Sequence, residues 1–532
     1  MAGTTELKKV FTRESTGLVK NVSFLDAITL NLGNMSVGAG LGTIGLTTIL
    51  LPLAVVDSGF NLVLTSLVAF VLSVPQIIVY TMMTRRLPRT GGDYVWTSRT
   101  FGGFVGSSFS FMGYTLETLA YLALIALSAV FAIGGVGVAL GNSAMFGLSL
   151  PANFGGNAMQ QFVVAAVIFA ALIAINIFTP KSGYKLVSAL IIIGVIALIA
   201  AIITLLASGS AGVTNYINFA KTNFGASSNL TASQVTAPST ASAFNWSGVF
   251  FMIPFFAIFV YPWLNAAPAV ASEMKGKSAL RWNVPISAII SMLLITGAFG
   301  AMYVAGGFSF VSGALTGNLA AASDFNFWTF AMGVTTSVPL QALIGLGWIV
   351  WNVGVLAYGV IVFSRYLFAQ SFDRFLPEQL SYISPKYSSP VVAHVVDLVV
   401  TIGLIGISAF VYGTLQDLFG NVVAAMVYFV VIGLAASVYA LRKEKGTSKG
   451  ILLVSGILMA AVFVYITYLF LAPYFASLSN PNIPNTWGGN PIAYGYVIAS
   501  FIAGAAIYLA SKRYHASRGI DISLAYKEIP PE

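Results

Sequence analysis

The sequence predicts an all-α membrane protein of about twelve spanning helices, arranged as inverted five-helix repeats with broken helices one and six, plus two extra C-terminal helices. Three observations predict it. The chain is 58% hydrophobic and only 8% charged, against the roughly 25% charged residues of a soluble domain. Apolar runs of about 20 residues, each long enough for a hydrocarbon core of about 30 Å, recur along its whole length. Lys and Arg fall almost entirely into alternate loops.

The expected spans are 24–56, 62–84, 103–137, 159–178, 185–208, 246–272, 284–306, 340–368, 391–411, 415–441, 450–472 and 494–510. None alternates apolar and polar residues as a spanning strand would, so they read as helices. Residues 1–22 form a polar, basic tail without the apolar core of a removable signal peptide. With both tails inside, 24 of the 25 Lys and Arg lie in inner segments and only Lys221 lies outside, so the positive-inside rule supports both the orientation and the helix count. The net charge of +9 is then a topology signal, not a nucleic-acid-binding one. The expected location is the cell membrane, with both termini cytoplasmic.

The expected segments are a tail at 1–22, a first repeat at 23–208, an outer loop at 209–245, a second repeat at 246–441, helices eleven and twelve at 450–510 and a tail at 511–532. The outer face carries few ionisable side chains, Asp57, Lys221, Asp324 and Asp417, and the chain has no Cys. Such a surface suits an acidic, hot exterior, or reflects simple depletion in a very apolar chain.

Two spans are irregular. The first carries Ser36-Val37-Gly38-Ala39-Gly40-Leu41-Gly42, and the sixth reads FFMIPFFAIFVYPWLNAAPAVAS, with Pro254, Pro262 and Pro268. Each internal proline removes a helix hydrogen bond, and each glycine costs helix propensity of about 1 kcal/mol. Glycines alone also suit close helix packing, here Gly38-xxx-Gly42. Paired breaks at equivalent positions of inverted repeats instead mark a midplane site of the secondary-transporter kind. An interrupted helix exposes N–H groups at one half-helix end and carbonyls at the other, so a zwitterion is its natural guest.

Three further stretches, together with the glycine motif of the first span, carry a family resemblance. Gly91-Gly92-Asp93-Tyr94-Val95-Trp96 through Phe101-Gly102, Val37-Gly38-Ala39-Gly40-Leu41, Glu273-Met274-Lys275, and the run from Ser364-Arg365-Tyr366 through Asp373-Arg374-Phe375-Leu376-Pro377 to Pro390 resemble, in order, motifs of the amino acid, polyamine and organocation (APC) transporter superfamily. The resemblance implies alternating access for amino acids or related amines. It also implies that helix-one N–H groups hold the substrate carboxylate and helix-six carbonyls its amine. The site residues so implied are Ser36, Val37, Gly38, Ala39, Gly40, Phe259, Tyr261, Pro262, Trp263 and Asn265. Trp263 stands where the family has glycine, which shrinks or reshapes the pocket. Gly42 stands where it has phenylalanine and offsets part of that volume.

For coupling or gating the candidates are Glu117, Glu273 and Arg365. Glu117 is the one carboxylate near the midplane, and an ionisable group there costs about 2.5–3.5 kcal/mol or more. It carries the coupling proton, meets a cationic side chain, or is a neutral structural carboxyl. Glu273 pairs with a basic residue such as Arg365 to close the inner gate, or forms a solvated pair with Lys277. Asn352 and Tyr358 are polar enough to reach the site, and Asp26, Asp397 and His394 read as interfacial.

The expected partners are a small-molecule substrate, the lipid bilayer and a proton or sodium ion. No cofactor or metal is expected, since no nucleophile, metal-spaced cluster or phosphate loop is visible, and an enzyme is disfavoured. A polyamine or nucleobase carrier, or a membrane amino-acid sensor, are the alternatives.

Overall fold

The computed structural model of the chain describes residues 18–50, 60–152, 155–235, 245–315, 325–412, 420–481, 487 and 489–529. Asp57, Asp324 and Asp417 lie outside the described residues. Among these residues the structure is helical, with isolated bridges Val22–Met274 and Thr90–Val270 as its β contacts.

The first expected span is two helices, α1 (Phe24–Asn34) and α2 (Val37–Leu50). There follow α3 (Leu62–Arg86), the short α4 (Asp93–Phe101), α5 (Gly103–Ala139), α6 (Ala158–Phe178), α7 (Pro180–Ala207) and α8 (Gly212–Asn223). The sixth span is again broken, into α9 (Trp246–Phe251), α10 (Ile253–Phe259) and α11 (Ala266–Ala269). The rest are α12 (Gly276–Leu315), α13 (Phe327–Gly333), α14 (Val338–Phe372), α15 (Val391–Val411), α16 (Val422–Lys443), α17 (Gly446–Ser479) and α18 (Pro491–Ala516).

Ten of these helices are long and apolar enough to cross a membrane, and the two broken spans complete the expected set. Several overrun their expected ends. The seventh span, expected at 284–306, runs Gly276–Leu315 through a kink at Gly307 (φ 72°), and the eleventh, expected at 450–472, runs Gly446–Ser479. Backbone hydrogen bonding continues through polar turns that hydropathy does not count. Helix starts are fixed locally. Ser23 and Asp26 form a reciprocal capping box on α1, and the Asn61, Asn157 and Asn490 side chains cap α3, α6 and α18.

Burial separates centre from periphery. The most apolar windows of α5 and α14 are 89% and 83% buried inside the protein, against 28% for α18. Polar side chains on α5 and α14 therefore face other helices, while α18 presents its sides outward. The α1 helix packs against α7, α12 and α14, and α14 packs against α5 and α7. The stretch between the expected seventh and eighth spans contributes the fully buried α13. Its FWTFAMG sequence is an apolar island inside a polar segment.

Candidate functional site

The first break is narrower than its motif. The α1 helix closes with Met35 N–H on Asn31 O at 2.8 Å, and Ser36 takes a left-handed φ of 44°, rare for a residue with a Cβ. The Ser36 hydroxyl lies 3.0 Å from Asn34 O and 3.2 Å from the Tyr121 hydroxyl, which holds the turn. Helix resumes at Val37, and Gly40 is the first residue to bond back, to Ser36 O at 2.9 Å. Val37, Gly38 and Ala39 thus point first-turn N–H groups of α2 into the break, with no preceding turn to receive them.

The glycines serve close packing as well. A Cβ on Gly38 would meet the Trp351 ring at 2.4 Å, one on Gly40 would meet Phe259 Cβ at 2.9 Å, and one on Gly42 would meet Trp348 Nε1 at 2.0 Å. The space at Gly42, expected to relieve Trp263, is filled by Trp348. Trp328 of α13 donates its indole N–H to Gly38 O at 2.8 Å.

The second break is wider, because proline makes it. Between Phe259 and Ala266 the chain leaves the helix, starting at Val260 (φ −126°, ψ −82°). Two asparagines of α1 stitch the breaks together. Asn34 Nδ2 donates to Asn265 Oδ1 at 2.8 Å, and Asn31 Oδ1 accepts the Ala267 N–H at 2.9 Å while its Nδ2 donates to Asn283 at 3.1 Å. Pro262 O accepts from Gln76 at 2.8 Å, and the Tyr261 hydroxyl turns away to Ser66 at 2.7 Å. The Trp263 ring stacks on Tyr121 at 5.5 Å between centroids. The sequence reading missed Asn31 and Asn34; two asparagines one turn apart in an apolar span were the available signal.

Polar atoms are left over around these breaks. Glu117 is fully buried just after a π-helical turn, Phe111–Leu116, in α5, a distortion frequent at functional sites. Its carboxyl lies 3.5 Å from Thr118 Oγ1, and its Oε1 has no hydrogen-bond partner among the described residues. The same holds for Asn265 Nδ2 and Trp351 Nε1. Asn352 donates to Trp348 O at 3.0 Å, and Tyr358 packs against Gly33.

At the N-terminal end of α1, by contrast, polar groups are paired into a seam. Glu273 and Arg365 form a two-pronged ion pair at 2.8 and 3.0 Å, and Tyr184 bridges both partners at 2.9 and 3.2 Å. Glu273 is 3% and Arg365 6% exposed, so the pair is buried and Lys277 is not its partner. Backbone bonds lace the same level: Val22 N–H to Glu273 O, Lys275 N–H to Val22 O and Gly91 N–H to Ala269 O, at 2.8–2.9 Å. A Cβ on Gly92 would strike the Pro268 backbone at 2.9 Å, which is why the paired glycines can lie against α11.

Asp93, in α4 between the second and third spans, is fully buried and accepts three tyrosine hydroxyls, from Tyr80 (2.8 Å), Tyr366 (2.7 Å) and Tyr428 (3.3 Å). Burial outweighs these bonds and pushes its carboxyl up to about 6. Arg99 pairs with Asp373, which also accepts the Tyr94 hydroxyl at 2.8 Å. Asp26 caps α1 and accepts Ser188 at 2.7 Å, Asp397 accepts Thr401 at 2.9 Å, and His394 is buried in α15.

No curated protein matches the chain. A family model described as amino acid permease matches residues 22–502, a span that contains both helix breaks, the α4 loop and the Glu273–Arg365 pair. With two facing helix breaks inside a multi-pass helical membrane protein, that match over most of its length places the chain in the amino acid permease family.

Proposed function

We propose that this protein, a membrane transporter of amino acids or related organocations by family, is a secondary active carrier of amino acids working by alternating access. In this reading the substrate carboxylate sits on the first-turn N–H groups of Val37, Gly38 and Ala39, where the helix dipole of α2 favours negative charge. The substrate ammonium takes carbonyls at the end of α10. The observation that carries the reading is the set of buried polar atoms at the breaks, Glu117 Oε1, Asn265 Nδ2 and Trp351 Nε1, with no partner among the described residues. Buried polar groups are ordinarily satisfied, and of the exceptions among the described residues these three belong to side chains at or beside the two breaks, where a polar guest would complete them.

Glu117 is the proposed carrier of the coupling proton. It is the buried carboxylate of α5, one helical turn from Tyr121, and Tyr121 contacts both breaks. The Glu273–Arg365–Tyr184 cluster is the proposed inner gate, closed here, with both termini cytoplasmic and the plasma membrane as location. A buried pair of this kind is a better latch than a stabiliser, because desolvation cancels much of its attraction. Uptake into proteoliposomes with a panel of amino acids and amines tests the reading. We expect accumulation of at least one amino acid, stimulated by an inward proton gradient and blunted in Glu117→Gln. Binding without accumulation contradicts transport, and accumulation indifferent to the proton gradient contradicts the coupling.

A further inference from the structure

We infer that Trp263 is the specificity-determining side chain of this site, an internal occupant of the ammonium position that substrate must displace, and that the substrate is an amino acid with a small side chain. The inference rests on the transport reading above.

It starts from what Pro262 does to α10. In a continuous helix Ile258 O would receive the N–H of residue 262, but a proline has none. Ala257 O would receive the N–H of Tyr261, which instead bonds Phe256 O at 3.1 Å. Two neighbouring carbonyls at the helix end thus lose their helical donors, inside the protein, where an unpaired carbonyl is costly. The Trp263 indole supplies the missing donor. Its Nε1 lies 2.7 Å from Ile258 O and 3.1 Å from Ala257 O. These are the carbonyls to which a substrate ammonium would bind, so indole and ammonium compete for the same acceptors.

The ring is also placed to sense the other break. Its face stacks on Tyr121, whose hydroxyl touches Ser36, and it packs T-shaped with Phe429, 6.0 Å between centroids. Trp351 and Trp348 fill the space over Gly38 and Gly42, and Phe259 fills that over Gly40. A guest between the breaks therefore meets aromatic walls on α14 and α10 as well as the indole of Trp263. Glycine at 263 would leave the two carbonyls open and the space free; tryptophan closes both.

Two substitutions separate the donor from the bulk. Trp263→Phe keeps a ring but removes the N–H, and Trp263→Ala removes both. For the wild-type protein in proteoliposomes we expect uptake of alanine or serine to exceed that of leucine or phenylalanine. Trp263→Phe should lower KM for alanine about fivefold, the loss of one competing hydrogen bond of about 1 kcal/mol. Trp263→Ala should admit leucine and phenylalanine. Wild-type protein that moves no amino acid overturns the transport reading itself. Wild-type transport with KM unchanged in Trp263→Phe overturns the displacement, and a wild-type preference for phenylalanine overturns the size assignment. If Trp263→Ala is too unstable to purify, Trp263→Phe decides.

Discussion

The two helix breaks and the seam at the N-terminal end of α1 are both buried and polar, yet they are finished differently. At the seam the main charged groups are paired: Glu273 has Arg365 and Tyr184, Asp373 has Arg99 and Tyr94, and Asp93 has three tyrosines, while Asp397 Oδ2 and His394 Nδ1 on α15 have no partner among the described residues. At the breaks Glu117 Oε1, Asn265 Nδ2 and Trp351 Nε1 are left without partners among the described residues. Opposite charges bonded to each other close a surface on itself. Incomplete pairing leaves a place that a ligand completes, which is the basis for proposing one region as gate and the other as site.

The largest expected effect comes from breaking the seam. Removing one partner of the buried pair, by Glu273→Gln or Arg365→Ala, strands the other and should destabilise the closed arrangement by about 3–5 kcal/mol. The chain has no Cys, so a single Ser272→Cys reports the change cleanly. Ser272, buried and bonded to Thr90 at 2.5 Å, should react slowly with a thiol reagent, and at least tenfold faster when either substitution is added.

Asp93 gives the seam a pH dependence opposite to that of a salt-bridged carboxylate. Its carboxyl is raised from 3.8 to about 6 by burial, so the closed form binds a proton more readily than an opened, hydrated one. The closed form therefore gains stability as pH falls through about 6 toward 3.8 and loses it as pH rises. The full swing is on the order of 3 kcal/mol. Melting temperatures across that window should rise toward acid in the wild type, and the slope should flatten in Asp93→Asn. A flat wild-type profile contradicts the assignment.

Smaller changes sharpen the picture of the breaks. Gly38→Ala drives a methyl into the Trp351 ring, 2.4 Å away, and such overpacking costs about 1–3 kcal/mol. Its melting temperature should fall. Smallest is the link between the breaks: a double-mutant cycle of Asn34→Ala and Asn265→Ala should return a coupling of about 1 kcal/mol in thermal stability, and additive losses would show that the hydrogen bond does not hold the breaks together.

How much of this was legible in the sequence differs between the same two regions. Hydropathy and the Lys/Arg pattern located the spans, and Gly and Pro content located both breaks. The width of each break was not legible, because proline forbids helix whereas glycine only permits its loss. Val37–Gly40 stays helical, and the turn falls on Met35–Ser36. The motif pointed to Glu273 and Arg365, whose ion pair forms, but nothing local showed that Tyr184 would bridge it or that Tyr80, Tyr366 and Tyr428 would converge on Asp93 from three helices. Such convergence is a property of packing. The asparagines at 31 and 34 were visible but read as part of an apolar run.

The central claim is that the two breaks together hold a zwitterion, one end each. Competition for uptake of labelled alanine by alanine, propionate and ethylamine tests it most directly. The account predicts that alanine competes at its own KM, while propionate and ethylamine, each carrying one half of the charge pair, fail to compete at a hundredfold excess. Competition by either half-molecule as strong as that by alanine would contradict it.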